Sequence, residues 1–392
     1  MQPNIYKKTE HSIKREMIDR DAFFVVEMLK TAGYIAYIVG GSVRDLLLNY
    51  TPKDFDISTS ARPEEVKRLF SRCILIGRRF RLAHVYFGKK LIEVATFRQG
   101  DVEDESLIVS DNIWGSEQED VTRRDFTING LFYDPIEEKI IDYVNGYEDA
   151  KKFLLRSIGN PFIRFKQDPV RMIRLIKFRA RFGLNVDQES VDALFECRSE
   201  ILKSSPARIL EEILRMLESG SSHQFIKLLV HHNILDIILP NISTFLESSN
   251  GNNIYSYLQE VDQMILNKEK QIICRSILLA AFIFPIVQAH LRLRKPMHLG
   301  EIYQEIAEFV QEIFTPFLFI PKKLSSTIIS IITTQYRFTP MHKKKKMPIR
   351  APRIPEIHLS LDFFKLRTRI EPGLQMFYNN WEHLLNKKKT SS

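Results

Sequence analysis

The sequence predicts an α+β protein in which a small mixed-sheet domain comes first and helical domains follow. Between residues 35 and 144, short apolar segments typical of β-strands alternate with amphipathic segments of helical period. From about residue 160 the strand signals fade, and apolar residues recur at helical spacing to about residue 336. A length of 392 residues is enough for two or three domains. We therefore predict domains at 1–158, 159–220 and 221–392.

The elements of the first domain follow from these patterns. Gly33 ends an amphipathic helix over 22–32, and Gly88-Lys89 turns a β-hairpin over 82–98. The other predicted elements, in chain order, are a strand at 35–39, a helix at 43–49, a strand at 55–59, a helix at 61–70, a strand at 73–76, a polar loop at 99–122, a helical segment at 122–134 and a strand at 139–144. Near the end of the chain, a basic segment at 341–355 precedes a last helical stretch over 363–385.

The overall composition favours a polyanionic partner and a reducing compartment. The formal net charge is +9 and the isoelectric point is about 9.2. Three cysteines (Cys73, Cys197 and Cys274) are too scattered for a disulfide framework or a metal site. The first residues lack the apolar core of a secretory leader, and the apolar run at 277–289 is too short to span a bilayer. We therefore expect a buried helix there, no membrane contact and a cytoplasmic location.

The stretch PKDFDIST places two carboxylates, Asp54 and Asp56, two residues apart at a predicted strand. Side chains at i and i+2 of a strand share one face, so both aspartates face the same side while Phe55 and Ile57 face the core. Mg²⁺ binds one or two carboxylates together with substrate phosphates, which would justify two adjacent like charges. A polar strand end after a proline turn is the alternative interpretation, and the spacing alone favours it.

Two further segments supply candidates for the same site. In VGGSVRD, Gly40 and Gly41 join a strand to a helix, and such a turn allows close backbone approach to phosphate. Arg44 on that helix is a candidate phosphate clamp; the alternative is a tight structural turn. A third carboxylate would come from Glu93 or from Asp125, each of which is otherwise a solvated charge.

The segments RRDFTINGL and QDPVRMIRL add arginines and a further aspartate. Arg123 and Arg124 precede Asp125 and are candidates for binding triphosphate or ordering the acidic loop. Asp168, Arg171 and Arg174 follow at three-residue spacing, which places Asp168 and Arg171 on one helix face. Such a pair can present donors and acceptors to a base edge. A helical salt bridge is the alternative, and on spacing alone it is the favoured one.

Together these segments resemble class II nucleotidyltransferases, the bacterial poly(A) polymerases and CCA-adding enzymes of the DNA polymerase beta superfamily. The matching motifs, in order, are GGSVRDLLL, PKDFDIST, IEVATFR, EDVTRRDFTINGLFYD and DPVRMIRLIKFRARFG, spread over roughly residues 35–240. The resemblance implies a polymerase beta-like head or palm domain at 1–158, a helical neck for base recognition and RNA binding at 159–220, and a helical body at 221–392. It implies Mg²⁺ as cofactor and ATP as substrate.

The resemblance also assigns roles to single residues. It implies that Asp54 and Asp56 bind the catalytic metal and that Asp125 is a catalytic residue. Glu93 stays the candidate third metal ligand on the strand pattern alone. The nucleotide-binding residues that it implies are Gly40, Gly41, Arg44, Arg124, Asp168, Arg171 and Arg174. Gln167 departs from the family, which usually has Glu there, so the part of this position in base selection is open.

The stretch ILIGRRFRLAHVYF at 74–87 resembles the bacterial poly(A) polymerase branch, as does the basic segment before the last helical stretch. The basic residues Lys343, Lys344, Lys345, Lys346, Arg350 and Arg353 are the candidate RNA-binding residues, with a solvated loop as the alternative. The expected partners are RNA 3′ ends and ATP. RNA-degradation machinery is a further candidate partner, and we expect a monomer.

We therefore expect a template-independent polynucleotide adenylyltransferase that adds AMP from ATP to RNA 3′ ends and releases pyrophosphate. CCA addition to tRNA, with CTP and ATP, is the nearest alternative. Nucleotidyl transfer to a small molecule is less consistent with the long basic helical region. A non-catalytic RNA-binding protein on a polymerase-like fold is the alternative from another class.

Overall fold

The computed structural model describes residues 2–77, 82–99, 113–267, 274–294, 298–339 and 354–389, with side chains to residue 386. The chain forms two compact units, residues 1–200 and 201–392. The α+β prediction is confirmed, because a mixed sheet in the first unit is followed by helices in the second. The predicted RNA-binding cluster at 343–353 and the Arg78–Arg81 part of the 74–87 motif lie outside the described residues.

The first unit is built on an eight-stranded sheet with the order β1-β8-β7-β2-β3-β6-β5-β4. Only β3 and β6 pair in parallel; the other neighbours in this sheet are antiparallel. A short parallel pair, β9 with β10, lies apart from it. The strands are β1 (Asn4–Tyr6), β2 (Ala36–Val39), β3 (Asp56–Thr59), β4 (Cys73–Ile76), β5 (Leu82–Phe87), β6 (Lys90–Thr96), β7 (Leu131–Asp134), β8 (Lys139–Asp142), β9 (Leu154–Leu155) and β10 (Asn185–Val186).

Alternating side chains fix which face of this sheet is buried. Ile38, Ile57 and Val94 come from three neighbouring strands and lie fully or almost fully buried in one core cluster. Each such side chain stabilises the fold by roughly 1.5–3 kcal/mol. Because the side-chain period of a strand is two, this burial points the alternate residues of β3 and β6 to the opposite face. The register of the core therefore determines which polar residues meet on the other side.

The helices of the first unit cover the sheet and follow it. Asp19 caps the first helix by accepting hydrogen bonds from the backbone N–H groups of Asp21 and Ala22. The helices are α1 (Arg20–Thr31), α2 (Gly41–Leu47), α3 (Pro63–Leu69), α4 (Glu117–Thr122), α5 (Gly146–Lys151), α6 (Pro161–Gln167), α7 (Val170–Phe182) and α8 (Gln188–Cys197), with 3₁₀ turns at Arg15–Met17, Thr127–Asn129 and Arg198–Lys203.

Three local predictions for this unit are wrong. The segment 122–134 is not helical: it contains a 3₁₀ turn and strand β7, whose four residues are all buried, so apolar content there reflects a central strand rather than a helix face. Of the predicted loop 99–122, residues 100–112 lie outside the described residues, but its last six residues form helix α4, which begins with a capping box between Ser116 and Glu119. Strand β1 has no counterpart in the prediction, since three residues are too few for a periodic signal.

The second unit contains only helices in its described residues. They are α9 (Pro206–Leu217), α10 (Ser222–His231), α11 (Leu235–Ile238), α12 (Pro240–Glu247), α13 (Asn252–Leu266), α14 (Arg275–Arg292), α15 (Leu299–Phe314), α16 (Lys322–Phe338), α17 (Ile357–Ile370) and α18 (Gln375–Lys389), with a 3₁₀ turn at Pro372–Leu374. The last stretch is therefore two helices rather than one, because Pro372 cannot continue α17.

Helix α14 contains the apolar run at 277–289. Its 18 residues are long and apolar enough to cross a membrane by length and composition. However, 72% of this window is buried inside the protein, as in the core helix of a packed bundle. The burial agrees with the prediction of a buried helix.

Candidate active site

Asp54 and Asp56 lie at the beginning of strand β3. Asp56 is its first residue, while Asp54 precedes it, so the strand begins one residue later than the predicted strand at 55–59. Strand β2 ends at Val39, which pairs with Asp56, so β2 offers no backbone partner to Asp54. Both aspartates are exposed, whereas Phe55 packs partly against the core and Ile57 is fully buried. The alternation predicted from the sequence is thus preserved.

Glu93 joins the two aspartates through the parallel pairing of β3 with β6. Ile57 pairs with Val94, so the preceding residues, Asp56 and Glu93, are neighbours on the opposite face of the sheet. Burial among neighbouring atoms, then the charges of Glu93 and Asp54, raise the pKa of Asp56 to about 6, although its surface remains accessible on one side. We call these three residues the acidic cluster.

Two basic side chains lie close to the acidic cluster in the part of the chain that the structure describes. His84, which pairs with Glu93 across β5 and β6, places its Nε2 3.5 Å from a Glu93 carboxylate oxygen. Arg124 is the one cation that lowers the pKa of Asp56 among the influences found there. Within the described ranges, no group of three or more His, Cys, Asp and Glu side chains is arranged to hold a metal ion by itself. The cluster therefore offers carboxylates to a cation without enclosing it.

Arg124 is held in place by two side chains behind the cluster. Its Nη2 donates to Asp120 Oδ2 at 2.8 Å and to Ser58 Oγ at 3.2 Å. Asp120 is buried, which alone would raise its pKa, but Arg124 and Arg123 outweigh this effect and hold that pKa below its usual value. Asp120 is therefore an ionised anchor that fixes the Arg124 guanidinium.

The Gly40–Gly41 turn lies against Arg124. It joins β2 to α2, as the sequence predicted, and Gly40 has φ of 66°, a conformation that side chains rarely adopt. A Cβ atom on Gly40 would lie 3.0 Å from Arg124 Nη1. Both the backbone conformation and the nearby guanidinium therefore require glycine at this position.

Arg44 points into the protein rather than toward an open surface. It is 5% exposed, and its Nε and Nη2 donate to Asp45 Oδ1 at 2.9 and 2.5 Å. Its Nη1 donates to Asn129 Oδ1 at 2.7 Å, and its guanidinium lies over the rings of Phe178 and Phe182. The structure thus places Arg44 between helix α2 and helix α7, with all three of its guanidinium nitrogens engaged.

Asp125 belongs to the same buried network and not to the exposed acidic cluster. Asn129, which accepts from Arg44, donates through Nδ2 to Asp125 Oδ1 at 2.9 Å. Arg174 forms an ion pair with Asp125 at 2.9 Å. Burial alone would raise the pKa of Asp125, but Arg174, Asn129 and Arg171 outweigh it and keep that pKa below its usual range. Of the two candidates for a third carboxylate, Glu93 therefore lies beside Asp56.

The predicted base-recognition residues lie at the α6–α7 junction and on helix α7. Asp168 lies between α6 and α7 and not on one helix face with Arg171, because Pro169 starts the second helix. Arg171 is buried and donates through Nη2 to the backbone carbonyl of Arg123 at 3.0 Å. Arg174 is about one-third exposed. Asp168 is half-buried at this junction.

Several residues of this site were not singled out from the sequence. Asp120 had a usable signal, since Arg123 and Arg124 follow it at i+3 and i+4 within one helical turn. His84 and Ser58 had none, because their positions depend on strand register.

Comparison with known proteins identifies the family of this chain. Residues 36–156 match the family described as poly A polymerase head domain, and residues 183–246 match the family described as probable RNA and SrmB-binding site of polymerase A. Poly(A) polymerase I of Escherichia coli O6:H1 is 34% identical over 393 aligned residues, which cover 96% of this chain and 84% of that protein. A CCA-adding enzyme of Lactobacillus helveticus is 39% identical over 49% of this chain and 48% of its own length.

The fold is also found among solved structures. A tRNA nucleotidyltransferase complexed with a primer tRNA and an incoming ATP analog superposes with a TM-score of 0.59 at 23% identity, over 93% of this chain and 99% of that one. The fold and the matches define a nucleotidyltransferase. More narrowly, the chain belongs to the family of bacterial poly(A) polymerases and CCA-adding enzymes.

The raised pKa of Asp56 predicts a gain in stability when its charge is removed. The folded-state pKa of about 6 exceeds the unfolded value of 3.8, so ionised Asp56 destabilises the fold increasingly from pH 4 to pH 6 and fully above pH 6. Asp56→Asn should therefore raise the thermal midpoint at pH 7.5, by no more than about 4 °C because solvent screens an accessible group. At pH 3.5 the difference should become small, since Asp56 is then protonated in the folded state and mostly protonated in the unfolded state.

Thermal unfolding of the metal-free protein at several pH values tests this, with Asp120→Asn as a control of opposite sign. The pKa of Asp120 is lowered by its arginine partners, so its loss should destabilise the protein above about pH 4. A lower midpoint for Asp56→Asn at pH 7.5 would contradict the repulsion within the acidic cluster.

Proposed function

We propose that this protein is a template-independent polynucleotide adenylyltransferase that adds AMP from ATP to RNA 3′ ends and releases pyrophosphate. The observation that carries the proposal is the accessible acidic cluster of Asp54, Asp56 and Glu93 beside Arg124. Phosphoryl-type transfer depends mainly on positioning and on charge stabilisation, and this arrangement provides carboxylates, a guanidinium and a glycine turn next to each other.

The acidic cluster fits a hard divalent cation such as Mg²⁺. Its donors are carboxylate oxygens, and burial, followed by the like charges of Glu93 and Asp54, raises the pKa of Asp56 to about 6, so a bound cation would relieve repulsion there. Asp54 and Asp56 would hold the ion, with Glu93 as the candidate third carboxylate. When bound, Mg²⁺ activates an attacking hydroxyl and neutralises charge on the triphosphate.

The surrounding residues would bind and orient ATP. The Gly40–Gly41 turn lets phosphate oxygens approach the backbone, and the Arg124 guanidinium beside Gly40 would attract the triphosphate and the leaving pyrophosphate. Arg44 would support this turn from behind, since its donors are engaged with Asp45 and Asn129. Asp125 would act in the same buried network.

Base selection is proposed for the α6–α7 junction. The carboxylate of Asp168 would accept hydrogen bonds from a base at this junction. The guanidinium of Arg174, which is ion-paired with Asp125, would donate hydrogen bonds to the base. Arg171 would contribute to base selection indirectly, because its guanidinium is buried and fixes the backbone carbonyl of Arg123. The resemblance of this segment to the base-reading motif of the family supports the proposal, with uncharged Gln167 as its departure.

Adenylation is favoured over CCA addition by the extent of similarity. The alignment with poly(A) polymerase I covers 96% of this chain, whereas the alignment with the L. helveticus CCA-adding enzyme covers 49%. The higher identity of that shorter alignment keeps CCA addition, with CTP and ATP, as the second candidate. A non-catalytic RNA-binding protein is disfavoured because Asp54 and Asp56 are both retained and accessible.

RNA binding is proposed for residues 183–246 and for Lys343–Lys346 with Arg350 and Arg353. The first region matches a family described as probable RNA and SrmB-binding site, and the second is strongly basic. We further propose a cytoplasmic monomer that cooperates with RNA-degradation machinery, in keeping with a polyanionic substrate.

Nucleotide use by the purified protein tests the proposed function. With Mg²⁺ and ATP, we expect a long ladder on a labelled generic oligoribonucleotide and also on a tRNA that lacks its CCA end. CTP alone should extend neither RNA appreciably. A stop after three nucleotides on the tRNA that requires CTP would establish CCA addition instead, and RNA binding without any Mg²⁺-dependent turnover would support the non-catalytic alternative.

Removal of one proposed metal ligand should abolish transfer without unfolding the protein. Asp54 is exposed and repels Asp56, so Asp54→Ala should keep or slightly raise the thermal midpoint and lower kcat about 10³-fold or more. The matched control is Asp192→Ala, which removes another exposed aspartate of the same unit, one that bonds only Gln188 in its described contacts. Near-normal transfer by Asp54→Ala would contradict its assignment as a metal ligand.

The basic segment should contribute to RNA affinity through phosphate contacts. Replacing Lys343, Lys344 and Lys345 by Ala should weaken RNA binding and reduce the slope of log affinity against log salt by about 2. The control replaces Lys387, Lys388 and Lys389, which changes the net charge equally. Equal losses in both variants, measured by filter binding over a salt series, would mean that net charge rather than this segment governs affinity.

A further inference from the structure

We propose that Arg164 is a positioning residue for the transfer reaction: it fixes the backbone from which Arg124 reaches the Gly40–Gly41 turn. The inference rests on the proposed function of the site around the acidic cluster. Arg164 lies on helix α6, outside the motif residues to which the resemblance gives a role. Its side chain is almost completely buried, at 7% exposed.

The geometry of Arg164 is that of a clamp on backbone carbonyls. Its Nη2 donates to the carbonyl oxygen of Thr122 at 3.0 Å and to that of Arg124 at 3.1 Å. Arg171 holds the carbonyl between them, that of Arg123, at 3.0 Å. Two buried arginines from consecutive helices thus bind three consecutive carbonyls just after helix α4, where these groups lack helical partners.

Gln167 sets the orientation of this clamp. Its Oε1 accepts from Arg164 Nη1 at 3.0 Å, and both side chains are buried. They lie three residues apart on one face of α6, so the helix itself fixes their spacing. An uncharged amide is sufficient as this acceptor, because the guanidinium also interacts with the carbonyl dipoles.

The clamp and the guanidinium anchor act on opposite ends of Arg124. Arg164 holds its backbone carbonyl, whereas Asp120 and Ser58 hold its Nη2. With the tip 3.0 Å from the position of a Cβ on Gly40, a backbone shift of a fraction of an ångström would alter the contact with the turn. A misplacement of about 1 Å can reduce a rate by about 10²-fold, so a residue that never touches substrate can control the rate.

A double-mutant cycle between Arg164 and Arg124 tests the proposal. Arg164→Met should lower kcat/KM for ATP by about 10- to 100-fold in the otherwise unchanged protein. In the Arg124→Ala background the same change should cost less than about twofold, since the positioned group is gone. A purely structural role would instead produce the same loss in both backgrounds, and that result would overturn the proposal.

Two further variants separate positioning from loss of charge and from unfolding. Arg68→Met is the matched control, because Arg68 is exposed and bonds the Glu64 carbonyl of its own helix; it should leave kcat/KM unchanged. Arg164→Lys keeps the charge but cannot reproduce the forked contact, so it should lower kcat/KM with the same dependence on Arg124. It replaces Arg164→Met in the cycle if thermal unfolding shows that the methionine variant does not fold.

Gln167 provides a separate readout. Gln167→Leu removes the acceptor for Arg164 and should lower kcat/KM for ATP and for CTP alike, so the preference for ATP over CTP should stay within about twofold of its value. A changed nucleotide preference would assign Gln167 to base selection and contradict its place in the clamp.

Failure of the proposed function would be recognised independently. If the unmodified protein incorporates CTP and ATP into tRNA, adenylation is wrong, and the cycle is measured with those nucleotides. If it shows no turnover, the cycle is measured on the affinity for ATP with Mg²⁺, where independent effects of Arg164 and Arg124 would overturn the inference.

Discussion

Parallel pairing of β3 with β6 is the constraint on which the site depends. It places Asp56 next to Glu93 on one face, because the opposite face carries Ile57 and Val94 into the core. A slip of one residue would bury the carboxylates and expose the apolar side chains, so the core enforces the register. The free-energy cost of the repulsion among these carboxylates is therefore offset by the burial of apolar side chains elsewhere in the same two strands, and not by local ion pairing.

Arg124 offsets part of the repulsion among the carboxylates of the acidic cluster. Its positive charge lowers the pKa of Asp56 and so opposes the rise, yet its Nη2 is also bonded to buried Asp120 at 2.8 Å. Because Asp120 neutralises much of its charge, Arg124 compensates the acidic cluster only in part. The negative charge that remains on the acidic cluster is the property that suits this site to a divalent cation. Buried side chains behind the cluster hold its accessible carboxylates in place.

The sequence predicted most of the first unit because its strands are short, apolar and separated by glycine or proline. The i, i+2 spacing also placed Asp54 and Asp56 on one side correctly, although only Asp56 lies in the strand. The prediction was wrong for 122–134, where a fully buried strand has no alternation to distinguish it from a helix. Residues such as His84 and Ser58 reach the site only through strand register, which a single sequence does not specify.

Arg44 and Arg171 show why residue types alone leave roles open. An arginine near a glycine turn or on a helix after an acidic residue is compatible both with binding phosphate or base and with holding the protein together. In the structure both guanidinium groups are buried. Arg44 donates hydrogen bonds to Asp45 and Asn129, and Arg171 donates one to the Arg123 carbonyl. Buried guanidinium groups need such partners, because an uncompensated charge in the interior would cost several kcal/mol. These hydrogen bonds and ion pairs connect helix α2, through the Asn129–Asp125 pair, to helix α7. The residues that would read the base and the turn that would hold phosphate therefore share one continuous polar network.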